Sequence, residues 1–165
     1  MRRVDVGGAT LALREWGLRE APLILFWHAL GPAASGALTV EAGERLAERG
    51  WRVVAPDGPG FGASGGLPAE RYAISELARL WLALLDELGA GRAVFIGHSW
   101  GGVVALHAAA LAPDRADALV LLDSGPHRLR RRHAGRRRSV GRRLDRRASA
   151  RERRGGRASR RSSTT

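Results

Sequence analysis

Apolar residues fall into short runs whose period changes along the chain. Val4 and Val6, then Leu11, Leu13 and Trp16, alternate with polar neighbours on either side of Gly7-Gly8, the pattern of a hairpin of two half-buried strands. Leu23-Ile24-Leu25-Phe26-Trp27 is apolar throughout, as a strand covered on both faces must be, and it runs into a turn at His28-Ala29-Leu30-Gly31-Pro32. Residues 37–49 take helical spacing, with Glu41 and Arg45 four apart and Gly50 as a stop. A strand over 51–56 gives way to a glycine-rich loop over 57–66. The clearest helix covers 70–88, where Leu77, Leu80, Trp81, Leu84, Leu85 and Leu88 keep one apolar stripe until Gly89. A buried strand over 93–96 leads straight into Gly97 to Gly102, a short helix over 103–111 is ended by Pro113, and 118–122 reads as one more buried strand. Strands alternating with helices predict an α/β domain with a mostly parallel sheet of about six strands.

Charge divides the chain where the pattern stops. Residues 1–125 carry eleven Arg and fourteen Asp or Glu, a net of −3, whereas residues 126–165 carry seventeen Arg and two acids, a net of +15. The second stretch holds two Leu, one Val and no aromatic residue, too little to build a core, and its like charges repel, so it is expected to be a disordered basic tail. The chain therefore reads as a partial domain at 1–125 and an Arg-rich low-complexity segment at 126–165. Every basic residue is Arg, and the abundance of Ala and Gly is that of a GC-rich coding sequence. The absence of cysteine excludes a disulfide scaffold, a Cys-ligated metal and a thiol nucleophile. The amino terminus lacks the apolar stretch of a signal peptide and no run is long enough to span a membrane, so a cytoplasmic protein is the expectation.

Gly97-His98-Ser99-Trp100-Gly101 fits G-x-S-x-G, with an apolar strand before it and a helix after. A turn that tight leaves no room for side chains two places either side of Ser99, and glycine at 97 and 101 removes them. Gly60, Gly62 and Gly65 satisfy G-x-G-x-x-G, but a dinucleotide site needs a helix opening at the third glycine, and Gly66-Leu67-Pro68 delays it. Without Lys there is no nucleotide P-loop. No cofactor and no metal site are expected.

On these residues the chain resembles the serine-nucleophile branch of the α/β-hydrolase superfamily. His28-Ala29-Leu30-Gly31-Pro32 is similar to that family's His-Gly loop, with Ala29 where glycine is usual, and Asp57 to Ser64 is similar to its Asp-x-x-Gly-x-Gly-x-Ser loop, whose role is structural. The resemblance implies a nucleophile elbow at Ser99 and an oxyanion hole from the amides of Leu30 and Trp100. It covers residues 1–125, the first six strands of an eight-stranded plan, so the expected fold is an incomplete one. Family members carry an acid and then a His farther along. Asp123 is the candidate acid, with a strand-end cap as its other reading. No His fills the base role: His28 sits in a turn, His107 lies about 12 Å of helix rise beyond Ser99, and His127 and His133 belong to the tail.

The implied chemistry is acyl transfer to water on a small ester, thioester or related carbonyl substrate, with little turnover because the base is missing. Ser at the turn sets the chain apart from the dehalogenase and epoxide-hydrolase branches, whose nucleophile is a carboxylate, though cofactor-free haloperoxidases share the serine elbow. Two readings of residues 126–165 stand. One is a basic arm holding nucleic acid by its phosphates on an otherwise inactive domain. The other is the product of a truncated or frameshifted gene, in which case the sixth strand is an exposed apolar edge open to self-association.

Overall fold

The computed structural model describes residues 1–31 and 36–124; the expectations placed on Pro32 and on residues 126–165, with His127 and His133, lie outside the described residues. The hairpin forms as β1 (Arg2–Val6) and β2 (Ala9–Trp16), paired antiparallel about Gly7-Gly8, both at positive φ. It is followed by β3 (Leu23–Trp27), α1 (Ala37–Ala47), β4 (Arg52–Pro56), α2 (Ile74–Glu87), β5 (Ala93–His98), α3 (Trp100–Leu111) and β6 (Ala116–Leu122). The strands make one six-stranded sheet in the order β1-β2-β4-β3-β5-β6, parallel from β4 to β6, with the hairpin joined antiparallel through β2 and β4.

The apolar runs explain the layers. All five residues of β3 and of β4 are buried, as strands covered on both faces require. One face of the sheet packs with α2 and α3 into a core containing Leu11, Leu13, Leu25, Trp27, Leu77, Trp81, Leu84 and Phe95. The other, under α1, is a smaller cluster of Ile24, Phe26, Val53, Ala55 and Ile96. Trp27 and Trp81 stack with ring centroids 5.1 Å apart and planes 10° from parallel, fixing α2 to the end of β3 that leads into the site.

Three boundaries differ from expectation. The helix read over 70–88 is split: Ala73 is extended (ψ 142°), and Ala69–Tyr72 forms a separate 3-10 turn whose Tyr72 hydroxyl accepts the Leu67 N–H at 3.0 Å. The helix expected from residue 103 begins three residues earlier, at Trp100, so the glycines at 101 and 102 lie inside it. The last strand begins at Ala116, before the apolar run, and is not buried: only Ala116, Leu119 and Leu122 are half-covered and its other residues are exposed. Its apolar run suits an interior strand, yet among the described residues it lies at the sheet's margin.

Candidate functional site at the carboxyl ends of the central strands

Ser99 joins β5 to α3 with φ 51° and ψ −115°, a left-handed backbone that non-glycine residues adopt only when their surroundings hold it. Those surroundings are visible. The Ser99 N–H donates to the Leu122 carbonyl at 2.8 Å, and the Ser99 carbonyl accepts the Gly102 N–H at 3.0 Å and the Ser124 hydroxyl at 2.9 Å. The glycines set the approach. A Cβ on Gly97 would run into the Gly101 carbonyl and lie 2.5 Å from Gly102 Cα, and one on Gly101 would lie 2.5 Å from the carbonyl oxygens of Trp27 and His28. A Cβ on Gly102 would strike Ser124. Strand, turn and helix are thus pressed together on backbone atoms, leaving the Ser99 side chain half-buried and Trp100 at the first helical position, where an amide has no acceptor within its own helix.

The loop after β3 forms the facing wall. His28 is buried, and its Nε2 accepts the Gly58 N–H at 2.8 Å, so the ring is neutral and Nδ1–H donates to the Ala29 carbonyl at 2.6 Å. Burial pulls its pKa below the ordinary 6.5, against the opposite pull of the Ala29 carbonyl and the Asp57 carboxylate. With both nitrogens engaged, His28 ties the loop after β3 to the loop after β4. Leu30 follows with its side chain 59% exposed, and Gly31 turns the chain at φ 130°. The rings of His28, Phe61 and Trp100 form a triangle with centroid separations of 5.2, 6.5 and 6.1 Å.

The loop after β4 is closed on itself. Asp57 is buried, its Oδ2 accepts the Ala63 N–H at 3.0 Å, and its carbonyl accepts the Ser64 hydroxyl at 2.5 Å. Ser64 Oγ in turn accepts the Ala12 N–H at 2.8 Å, and the Gly65 N–H donates to the Thr10 carbonyl at 2.8 Å. The third glycine of the G-x-G-x-x-G pattern therefore faces β2 and opens no helix; a 3-10 turn starts only at Ala69.

The remaining candidates separate. Leu122 pairs with His98, so Asp123 comes one position past the end of β6, level with Ser99 on the neighbouring strand; it is exposed and also left-handed, at φ 47°. His107 is not brought to the turn: its Nδ1–H donates to the Val103 carbonyl at 2.8 Å, one turn back along α3. Among the described residues no histidine ring hydrogen-bonds to Ser99, and no group of three or more His, Asp or Glu side chains is set to hold a metal. None of the described helices is long and apolar enough to cross a membrane. Two contributors went unread in the sequence. Phe61 was signalled only as the one aromatic residue in a glycine loop, and Ser124 only as a hydroxyl directly after a strand-end Asp.

The family model described as the alpha/beta hydrolase fold matches residues 22–154, extending beyond residue 125 into the Arg-rich stretch. Epoxide hydrolase A of Mycobacterium tuberculosis is 39% identical over 123 residues, covering 73% of this chain and 37% of that protein. Among solved structures, epoxide hydrolase A from Mycobacterium thermoresistibile aligns with a TM-score of 0.63 at 40% identity, over 70% of this chain and 36% of that one. A thioesterase domain from the curacin biosynthetic pathway aligns with a TM-score of 0.65 at 30% identity, over 73% and 44%. The chain thus spans little more than a third of the epoxide hydrolases' length. Sheet order, the tight turn at Ser99 and the matched family model agree, and the chain belongs to the α/β-hydrolase fold family.

Proposed function

We propose that this site is that of an acyl hydrolase in which Ser99 is the nucleophile and the amides of Leu30 and Trp100 are the oxyanion donors, with a small ester or thioester as substrate. The observation that carries the reading is the left-handed Ser99 between β5 and α3, held by main-chain contacts that leave its hydroxyl outside the hydrogen bonds that fix the turn. In the reaction, Ser99 Oγ bonds to the carbonyl carbon, the C–O or C–S bond to the leaving group breaks, the hydroxyl proton ends on that group, and water then releases the acid. A donor at the helix start is suited to the negative charge that develops on the carbonyl oxygen.

The epoxide hydrolases among the relatives raise a sharper choice. A serine oxygen opening an epoxide would form an ether, which water does not cleave under these conditions, whereas a carboxylate nucleophile would form a hydrolysable ester. Ser99 therefore favours carbonyl substrates over epoxides, in line with the thioesterase domain that shares the fold. Among the described residues no base hydrogen-bonds to Ser99, and losing the base from a complete triad costs on the order of a millionfold. Asp123, level with Ser99, is the acid in this reading.

A fluorophosphonate probe tests it. We expect slow, stoichiometric modification of the peptide bearing Ser99 and none in Ser99→Ala; no labelling of the wild type, or equal labelling of both, overturns it. The charge of residues 126–165 favours a second reading, an inactive domain with a basic arm. It requires an unlabelled Ser99 together with DNA retention that falls steeply with salt.

A further inference from the structure

We infer that Ser124 is a positioning residue for the oxyanion site: its hydroxyl holds the carbonyl of the peptide whose N–H, on Trp100, is the donor. The inference rests on the reading of Ser99 as the nucleophile. The Ser99 carbonyl and the Trp100 N–H belong to one planar trans peptide, so they point in opposite directions and neither turns without the other. The carbonyl end is fully occupied. It accepts the Ser124 hydroxyl at 2.9 Å and the Gly102 N–H at 3.0 Å, one donor for each lone pair. The amide end is free: Trp100 is the first residue of α3, the Ser99 side chain makes no capping bond, and among the described residues the Trp100 N–H has no acceptor. Two donors at one end of a peptide fix its plane. They also draw charge toward the carbonyl oxygen, which strengthens the N–H at the other end as a donor.

Gly102 sets this contact apart from the general crowding of the turn. A Cβ on Gly97 or Gly101 would meet main-chain atoms, whereas one on Gly102 would strike the Ser124 side chain first, with the Gly97 carbonyl next at 3.1 Å. The side chain missing at 102 therefore makes the seat for this hydroxyl. Ser124 Oγ also lies 3.1 Å from the Leu122 carbonyl and 3.5 Å from that of Gly97. It has one proton to give. The Leu122 carbonyl already receives the Ser99 N–H at 2.8 Å, and 3.5 Å is beyond a good hydrogen bond, which leaves the Ser99 carbonyl as the acceptor. Ser124 thus acts on the reaction through the peptide it holds.

The test compares the full wild-type chain with Ser124→Ala and Ser124→Thr, using a fluorophosphonate probe and amide spectra of protein carrying ¹⁵N-tryptophan. The chain has five tryptophans, so five main-chain amide signals report on separate places, and Trp100→Phe assigns the one in question. Removing an oxyanion donor outright slows reaction roughly 10²–10³-fold, and loosening its aim should cost less, about tenfold in the limiting rate of Ser99 labelling for Ser124→Ala. The probe concentration giving half that rate should not change. The Trp100 amide signal should move while the other four hold their positions, and Ser124→Thr, which keeps a hydroxyl, should restore both rate and signal. Should Ser124→Thr not fold, the Trp100 signal of Ser124→Ala decides. Labelling of Ser124→Ala at the wild-type rate overturns the inference. So does a slower rate that comes with displacement of all five signals and a lower urea midpoint, because Ser124 would then brace the fold and nothing more. An unlabelled wild type overturns the serine reading instead, and the Trp100 signal still decides whether Ser124 holds this peptide.

Discussion

The two outermost strands of the described sheet are built differently. At one, β1 alternates: Val4 and Val6 are buried while Arg3 and Asp5 are exposed, α2 packs against the strand, and Glu15 bridges Arg2 at 3.4 Å and the buried Arg52 at 3.0 Å. A half-polar strand of this kind does not invite a further one. At the other, among the described residues, β6 leaves Val120 and Leu121 exposed, one on each face, and its ion pair of Arg92 with Asp117 at 2.6 Å is exposed and contributes little. Yet β6 lies next to the turn at Ser99, and its Leu122 and the following Ser124 supply two of the contacts that hold it. The turn at Ser99 thus takes part of its hold from the strand that is least covered among the described residues.

Three experiments break or sharpen that contrast. The largest effect is expected at the turn, where Gly97→Val places a side chain against backbone atoms that cannot move aside; we expect a loss of more than about 3 kcal/mol, or failure to fold, with no labelling of Ser99. Urea denaturation and probe labelling report both. The second is a matched pair. Val4→Ala in β1 should cost about 1.5–3 kcal/mol by urea midpoint, while Val120→Ala in β6 should cost less than about 0.5 kcal/mol. Equal costs would show that β6 is as well covered as β1.

The smallest effect concerns pH. His28 is neutral in the fold and its pKa is lowered, chiefly by burial, so the unfolded chain takes up the proton first. The stability that depends on neutral His28 is complete above about pH 6.5 and is lost as pH falls below that value toward the lowered one. Melting temperatures at pH 7.5 and 5.5 should differ more for the wild type than for His28→Gln; equal differences would remove His28 as the source.

Much of this was legible from residue patterns. Continuous apolar runs mark β3, β4 and β5 because interior parallel strands need cover on both faces, and the glycines flanking Ser99 mark the turn because only missing side chains permit it. The same logic misplaced β6, whose run of Ala118 to Leu122 carries no information about whether a neighbour is present. The break at Ala73 was hidden because Tyr72 acts through a side-chain bond to the main chain of Leu67, five residues back, that periodicity does not register. Phe61 and Ser124 reach the site through tertiary contacts from loops, where spacing has no fixed relation to position. The turn's glycines were legible because their reason is local; its hydroxyl brace was not.

That brace has a consequence for the order of assembly. Ser124 lies 25 residues beyond the carbonyl it holds, and the amide of Ser99 is satisfied by the carbonyl of Leu122. During synthesis the G-x-S-x-G segment emerges first with only its local Gly102 bond and the earlier strands to shape it, and the rest of its hold arrives when β6 docks in register. The turn is completed late, by the chain that follows it, and a one-residue slip of that strand would undo it without altering a single residue of the turn.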